Sequence, residues 1–321
     1  MSTSVVAILG TRYADLSVEE EAFAPLGVRL VSGDGASAAR IVETAGDADV
    51  VLVGSRPRLD AEVLERLRCR AIVRCGIGVE NIDLPAARRL GMTVARVADY
   101  GTEAVAFHAV SMAGACLRRL AEADRTVRDG GWGVAGLRPL HLPSAMTAGV
   151  IGYGRIGRQT ARNLAGLGFR VVAHDEFVQV DDADGVTPAG LGELLETSDV
   201  VSLHVPGDPG GRPLLGTAEI ARMKPGSVLV NTARGTLVDT AALVAGLAAG
   251  RPASAALDVY PTEPPGLDEF ADVGDRVLLS PHMAWYTEES ELDLRRKSAR
   301  EAVRLLRGEA PADPVQEAVD S

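Results

Sequence analysis

The chain of 321 residues is 46% hydrophobic and 24% charged, enough for about two domains with buried cores, since domains run on the order of 100 to 200 residues. No apolar run reaches the roughly 18 residues of a membrane span, and the first residues lack a secretory signal pattern, so a cytoplasmic protein is expected. A net charge of −11 disfavours nucleic acid and anionic membranes as partners. The three scattered cysteines predict free thiols and no metal site.

The first hundred residues alternate short β-branched runs with Ala-, Leu- and Glu-rich stretches. Continuous apolar strands separated by helices predict an α/β fold with a doubly wound parallel sheet, because a parallel strand needs a crossover to return. A helix over 102–128 and an irregular arm up to about residue 145 are expected next. The strands predicted for this first unit are residues 5–10, 28–33, 49–55, 70–76 and 92–97.

A second α/β unit begins near residue 148 and carries six apolar runs that read as strands. Six parallel strands with helices between them are the inventory of a dinucleotide-binding sheet. A last helix is expected over about 287–307, with acidic residues in its first turn and arginines near its end, and the tail after it is expected to be loosely ordered. The six predicted strands are residues 148–152, 170–175, 199–205, 227–233, 253–260 and 276–282.

A glycine-rich turn joins the first strand of the second unit to a helix. Gly152, Gly154 and Gly157 form the pattern G-x-G-x-x-G, and Asp175 ends the next strand. Exposed backbone amides at a helix N-terminus can bind a pyrophosphate. A carboxylate at the end of the second strand can accept hydrogen bonds from the adenine-ribose diol of NAD, and it repels the extra phosphate of NADP. The pattern predicts NAD as the cofactor. The alternative is a simple helix-capping turn followed by an exposed acid.

Three charged or titratable side chains follow consecutive strands of the same sheet: Arg234, Glu263 and His282. The carboxyl ends of parallel strands meet at one edge of a sheet, where ligands bind, so these side chains are expected at one rim. Singly, each has an ordinary explanation as a surface arginine, a solvated acid or a packed histidine. Almost all basic residues here are arginines, which weakens the case for any single one.

Together the three side chains fit hydride transfer between nicotinamide and a 2-oxo or 2-hydroxy acid. Imidazole titrates near neutral pH, so His282 can give or take the alcohol proton. Glu263 can orient it through the other ring nitrogen, and the guanidinium of Arg234 can bind a carboxylate. In the first unit, Arg74 and the loop Gly76-Ile77-Gly78 offer a second anion site, with a structural ion pair as the alternative for Arg74.

Several long motifs carry a family resemblance, among them "RCGIGVENIDLPAARRLGMTVARV", "VIGYGRIGRQTARNLAGLGFRVVAHD", "MKPGSVLVNTARGTLVDTAALVAGL" and "LLSPHMAWYTEES". Over nearly its whole length the chain resembles the D-isomer-specific 2-hydroxyacid dehydrogenases. It looks most like the C-terminal-binding-protein branch, with phosphoglycerate dehydrogenases as near relatives. Ile77 departs from the Ser of some relatives, which makes the substrate pocket less polar here.

This resemblance implies a Rossmann NAD domain, residues 100–282, inserted in a flavodoxin-like substrate domain made of residues 1–99 and 283–321. It implies a homodimer whose arm, residues 118–145, crosses to the partner. The catalytic set that it implies is Arg234, Glu263 and His282. The implied substrate contacts are Arg74, Gly76, Ile77, Gly78, Arg234 and Trp285. The implied cofactor contacts are Gly152, Gly154, Arg155, Ile156, Gly157, Asp175, His204, Val205, Pro206, Thr232, Ala233, Asp258 and His282.

The function expected from these features is NAD-dependent oxidation or reduction between a 2-oxo acid and a D-2-hydroxy acid, both small molecules. Two alternatives stay open. One is an NAD(H)-sensing module that binds another protein, as the C-terminal-binding-protein resemblance allows. The other is oxidation of a small phosphorus oxyanion, because a cation and an anion nest do not demand a carboxylate.

Overall fold

The computed structural model describes residues 3–11, 13, 15–180, 185–208 and 210–315. The chain divides into two compact units, one made of Met1–Gly101 and Thr287–Ser321 and the other of Thr102–Tyr286. Each unit is built on its own parallel sheet. The second unit is therefore an insertion between two segments of the first.

The sheet of the first unit has five strands in the order β2-β1-β3-β4-β5, which is the flavodoxin-like order. All its strand pairs are parallel. The central strand β3 is fully buried, as a continuous apolar run covered on both faces should be. The strands are β1 (Val5–Leu9), β2 (Arg29–Gly33), β3 (Val50–Val53), β4 (Ala71–Arg74) and β5 (Thr93–Arg96).

The sheet of the second unit has seven strands in the order β12-β11-β10-β9-β6-β7-β8, all parallel. The order reverses between β6 and β9, which is where a doubly wound sheet opens a crevice for a ligand. The fold class expected from the sequence is confirmed. The strands are β6 (Thr147–Ile151), β7 (Arg170–His174), β8 (Val186–Pro188), β9 (Val200–Leu203), β10 (Val228–Asn231), β11 (Ser254–Leu257) and β12 (Val277–Leu279).

The helices cover both sheets, and side chains cap several of their N-termini. Ser37, Asp60, Asp83 and Asp239 each accept a hydrogen bond from the third backbone N–H that follows, and Thr287 does the same for the last helix. The helices are α1 (Ser17–Phe23), α2 (Ala38–Ala45), α3 (Ala61–Leu64), α4 (Leu84–Arg89), α5 (Thr102–Leu117), α6 (Leu120–Arg128), α7 (Arg155–Gly166), α8 (Leu191–Thr197), α9 (Thr217–Arg222), α10 (Thr240–Ala248) and α11 (Glu288–Leu306).

Three details differ from the expectation. The second sheet has a seventh strand, β8, whose three residues include Pro188 and give too short a pattern to recognise. The helix expected over 102–128 is two helices, because Arg119 takes a left-handed conformation with φ 52°. The tail was expected to be loosely ordered, but Pro314 forms an antiparallel bridge with Ala95 on β5. Residues 316–321 lie outside the described part of the chain.

Two further expectations can be compared with the described residues. All three cysteines are free thiols, as predicted. The helices in the described part of the chain include none that combines the length and apolarity of a membrane span.

A close backbone approach joins the loops that follow β10 and β11. Gly235 begins the 3-10 turn Gly235–Leu237 and is buried. A Cβ atom at this position would overlap the main-chain carbonyl carbon of Tyr260. Only glycine therefore allows the two loops to pack at this distance.

Gly235→Ala is expected to destabilise the second unit by about 1–3 kcal/mol, because the added methyl group must push the Tyr260 backbone away. Urea denaturation followed by circular dichroism measures the change. Gly166→Ala is the matched control, since Gly166 lies in the last turn of α7 with open space at the Cβ position. Equal unfolding transitions for the two variants would contradict the close approach.

Candidate active site

The glycine turn after β6 has the geometry that its sequence pattern predicts. Gly152 has φ 96°, and a Cβ there would lie 2.5 Å from the carbonyl oxygen of His204. A Cβ on Gly157 would collide with the carbonyl oxygen of Gly152. Gly154, in contrast, has nothing within 4 Å of its Cβ position and stands at the N-terminus of α7. Two glycines thus close the turn and the third leaves the helix end open.

These features fit a dinucleotide. Within the described part of the chain no side chain caps the N-terminus of α7, which leaves its first N–H groups available to a phosphate. The hydroxyl Oγ1 of Thr232, just beyond β10, is buried and has no hydrogen-bond partner within the described residues. A buried hydroxyl without a hydrogen-bond partner costs free energy unless a ligand forms a hydrogen bond with it. The described residues are consistent with a pyrophosphate at α7 and a polar cofactor group near Thr232.

Asp175 follows β7, and its carboxylate accepts three backbone hydrogen bonds. Tyr153 N lies 2.6 Å from Oδ2, and Phe177 N and Val178 N lie 2.8 and 2.9 Å from Oδ1. Partial burial raises the pKa of this carboxyl, but the three N–H donors outweigh burial and hold the pKa below its usual value. Asp175 therefore carries a negative charge fixed against the glycine turn.

His204 follows β9 and lies beside the glycine turn. Burial lowers its pKa to about 4, so the imidazole is neutral at pH 7. Its Nε2 lies 2.9 Å from the hydroxyl oxygen of Ser202. Val205 and Pro206 follow it, partly buried and exposed respectively.

Arg234 lies three residues beyond β10, and a buried amide shapes its loop. Asn231 donates from Nδ2 to the carbonyl oxygen of Arg234 at 2.8 Å and accepts from the N–H of Ala233 at 3.0 Å. The guanidinium Nη1 of Arg234 donates to the carbonyl oxygen of Ala233 at 2.7 Å. Asn231 was not among the predicted site residues, although a polar residue closing the run Val228-Leu229-Val230 is the signal that could have indicated it.

Glu263 and His282 are hydrogen bonded to each other. The distance between His282 Nδ1 and Glu263 Oε2 is 2.8 Å, and their side chains are 45% and 34% exposed. The other carboxylate oxygen, Oε1, accepts from the N–H of Tyr260 at 3.2 Å. His282 has φ 53°, a left-handed conformation that is uncommon for a residue other than glycine. The surrounding structure must hold this turn in place.

Asp258 and Tyr260 provide that support. Asp258 is fully buried, its carbonyl oxygen accepts from the N–H of His282 at 2.8 Å, and its carboxylate accepts from the N–H groups of Met283 and Ala284, both at 2.9 Å. The Tyr260 hydroxyl lies 3.0 and 2.9 Å from the carbonyl oxygens that end β11 and follow β12. Burial, and then the charge of Asp258, raise the pKa of Tyr260 to about 12, so it remains a donor.

The structure therefore joins Glu263 and His282 directly and packs the loop of Arg234 against the segment that leads to Glu263. Trp285 follows on the His282 loop, where its ring meets Tyr286 edge to face at 5.6 Å. The predicted cofactor residues Arg155 and Ile156 open α7. No cluster suited to a metal ion occurs among the described residues.

The predicted anion site of the first unit is a tight loop after β4. Gly76 has φ 139°, and a Cβ there would collide with the guanidinium of Arg74. Arg74 donates from Nη1 to the carbonyl oxygen of Cys75. Gly76 and Gly78 are buried and Ile77 is partly buried. The backbone of this loop is therefore folded closely around its arginine.

Comparisons with known proteins agree with this architecture. Residues 110–284 match the family model of the D-isomer specific 2-hydroxyacid dehydrogenase, NAD binding domain. The chain is 35% identical to a D-3-phosphoglycerate dehydrogenase of Archaeoglobus fulgidus, over 88% of this chain and 54% of that protein. It is 35% identical to a glyoxylate reductase of Korarchaeum cryptofilum, over 87% and 86% of the two chains.

Among solved structures, D-lactate dehydrogenase of Escherichia coli matches 97% of this chain and 100% of its own, with a TM-score of 0.84 and 30% identity. The chain spans about half the length of the phosphoglycerate dehydrogenases that it matches. The family expected from the motifs is confirmed, and NAD is the cofactor of the matched domain. The chain belongs to the D-isomer-specific 2-hydroxyacid dehydrogenases.

Proposed function

We propose that this protein is an NAD-dependent oxidoreductase that interconverts a 2-oxo acid and a D-2-hydroxy acid. The observation that carries the proposal is the 2.8 Å hydrogen bond between Glu263 and His282, formed at the edge of the sheet that also bears the glycine turn and Arg234. A histidine that only fills space does not need a hydrogen-bonded carboxylate at the edge of a sheet where ligands bind. The family membership of the chain supports the same reaction.

His282 is the proposed acid and base. The Glu263 carboxylate can only accept, so Nδ1 of His282 carries the proton of their hydrogen bond and Nε2 faces the substrate. NADH held at the glycine turn and Asp175 would supply the hydride for reduction of the oxo acid. The protonated imidazole gives its Nε2 proton to the C2 oxygen, and Glu263 stabilises and orients the imidazolium. The reverse reaction returns the proton to Nε2.

Arg234 is the proposed cation for the substrate. Its guanidinium is a planar fork that pairs with a carboxylate through two hydrogen bonds. Arg74, Gly76, Ile77 and Gly78 are proposed as further substrate-binding residues, because their loop combines a cation with closely folded backbone amides. Trp285, next to Tyr286, is proposed to contact the substrate side chain. The units Met1–Gly101 with Thr287–Ser321 and Thr102–Tyr286 are accordingly proposed as substrate and cofactor domains.

The cofactor site proposed for NAD follows the rim of the second sheet. Gly154 and the first amides of α7 suit the pyrophosphate, Asp175 the adenine ribose, and Thr232 a polar group nearer the nicotinamide. The free thiols also agree with a reducing compartment, and we propose a cytoplasmic location. The remaining proposed contacts are Gly152, Arg155, Ile156, Gly157, His204, Val205, Pro206, Ala233, Asp258 and His282.

The substrate class is proposed from the relatives, which are named for 3-phosphoglycerate, glyoxylate and D-lactate. The corresponding oxo acids are phosphohydroxypyruvate, glyoxylate and pyruvate. All three carry a carboxylate beside a carbonyl group, which is what a cation and an imidazole at one rim recognise.

Purified wild-type protein is expected to consume NADH, followed at 340 nm, with at least one member of that oxo-acid panel. His282→Ala and Arg234→Ala are each expected to lower kcat/KM by about 10²- to 10⁴-fold, because the first removes the proposed proton donor and the second the cation proposed to bind the substrate carboxylate. NADH affinity, measured by fluorescence titration, should remain. Arg222→Ala, an exposed arginine paired with Glu196, is the control and should retain full activity.

Wild-type protein that is inert to the whole panel would contradict the proposal. If NADH instead promoted capture of a protein partner without turnover, the sensing alternative would replace it. Oxidation of phosphite by NAD would support the phosphorus-oxyanion alternative.

Discrimination against NADP is proposed to come from Asp175. Asp175→Ser removes the negative charge that faces a 2′-phosphate, so the ratio of NADH to NADPH binding is expected to fall by about tenfold or more. Fluorescence titration with both cofactors gives the ratio. Glu193→Ala, which removes an exposed acid on α8, is the control. An unchanged ratio in Asp175→Ser would show that the cofactor ribose is bound elsewhere.

A homodimer is proposed from the arm between residues 118 and 145. Its apolar side chains are exposed in the single chain, and Trp132 is 91% exposed. Several large apolar side chains exposed along one segment favour a protein interface there, and by family resemblance the proposed occupant is a second copy. The exposed apolar residues of the arm are Leu120, Val127, Trp132, Val134 and Leu142.

Sedimentation equilibrium is expected to give twice the chain mass for the wild type. The double variant Trp132→Asp with Leu142→Asp is expected to sediment as a monomer, because it places two charges in the buried interface. Leu267→Asp, at an exposed leucine outside the arm, should remain a dimer. A monomeric wild type would refute the proposed assembly.

A further inference from the structure

A second histidine lies behind the Glu263–His282 pair, in a position that the sequence did not indicate. His108 is on α5, far from His282 along the chain, and its side chain is 22% exposed. Its Nε2 lies 3.1 Å from the hydroxyl oxygen of Ser280 and 3.7 Å from Oδ1 of Asp258. His108 therefore lies beside Asp258, the residue that holds the turn at His282.

The direction of each hydrogen bond in this cluster can be assigned. Ser280 has one hydroxyl proton and three possible acceptors, which are Asp258 Oδ1 at 2.5 Å, His108 Nε2 at 3.1 Å and the sulfur of Met112 at 3.8 Å. A carboxylate oxygen is much the stronger acceptor, so the proton goes to Asp258. The Ser280 oxygen then accepts, and the donor is the Nε2–H of His108.

Asp258 transmits this arrangement to His282. Its carboxylate accepts from Ser280, Met283 and Ala284, and its carbonyl oxygen accepts from the N–H of His282. The buried acid thus holds residues on both sides of His282 as well as His282 itself. The left-handed turn at His282, which directs the ring towards Glu263, depends on these bonds.

We propose that His108 is a positioning residue for the reaction, which acts through Ser280 and Asp258 to fix the orientation of His282. The expected effect of His108 on turnover rests on the proposed function. Its expected effect on the orientation of His282 does not. Without the Nε2–H of His108, the hydroxyl oxygen of Ser280 loses its hydrogen-bond donor. The hydroxyl is then held less firmly against the buried Asp258 carboxylate, and the turn at His282 is free to shift. A shift of about 1 Å at a catalytic group can reduce turnover by up to about 100-fold.

The test compares His108→Leu, which has no donor, with His108→Gln, whose side-chain amide can donate from nearly the same place. His108→Leu is expected to lower kcat for the oxo acid by about tenfold or more, with KM for NADH unchanged, and His108→Gln should recover most of the loss. Ser111→Ala is the control on the same helix, because Ser111 is exposed and donates to the carbonyl oxygen of Phe107 in its own helix. Melting curves report whether each variant is folded.

The second readout does not require turnover. In the wild type, NMR of ¹⁵N-histidine-labelled protein should show His108 protonated at Nε2 and a hydrogen-bonded Nδ1 proton on His282. His108→Leu should weaken or broaden the His282 signal while leaving the control variant unaffected. An unchanged His282 signal, equal kcat in all three variants, or a His108 protonated only at Nδ1 would overturn the inference. Inert wild-type protein with the expected NMR changes would refute the proposed function alone.

Discussion

The hydrogen bond between Glu263 and His282 depends on the alignment of three neighbouring parallel strands. In the register of the second sheet, Asn231 at the end of β10 pairs with Leu257 at the end of β11, which pairs with Leu279 at the end of β12. The three strands therefore release the chain at the same level. Short loops follow the three strands and carry Arg234, Glu263 and His282, the residues proposed to act at this edge of the sheet.

Burial separates the acids of this rim into two kinds. The side chains of Glu263 and His282 are 34% and 45% exposed, so their hydrogen bond is open to solvent and, in the proposed mechanism, to the substrate. Asp258 is fully buried and uses its oxygens on backbone and hydroxyl donors. A buried carboxylate is tolerated only with such partners. In the proposed mechanism Glu263 therefore assists His282 directly, while Asp258 holds the turn that carries His282.

The glycines also fall into two groups, according to what surrounds their Cβ position. Gly152, Gly157 and Gly235 stand where a Cβ would strike backbone atoms of a neighbouring segment. Gly154 stands in open space at a helix end, where the absence of a side chain leaves room for a ligand. Close packing and ligand access are therefore met by the same residue type for different physical reasons.

The sequence was sufficient to predict both parallel sheets, because buried parallel strands read as continuous apolar runs. It also placed Glu263 and His282 at one edge of the second sheet, where the structure joins them by a hydrogen bond. The roles of these residues stay a prediction. The sequence missed β8, whose three residues carry no periodic pattern, and the break at Arg119, which has no glycine or proline to signal it. His108 and Ser280 were not predicted as partners, since their contact joins α5 to the end of β12 and only the folded chain brings them together.

A crystal structure of the wild-type protein with NADH and oxamate, a stable analogue of a 2-oxo acid, is the decisive test of the proposed catalytic site. In the expected complex, the carbonyl oxygen of oxamate lies within hydrogen-bond distance of His282 Nε2, and the carboxylate of oxamate pairs with the guanidinium of Arg234. Glu263 remains hydrogen bonded to Nδ1 of His282. Oxamate bound beside the nicotinamide without contact to either His282 or Arg234 would contradict the assignment of these loops as the catalytic site.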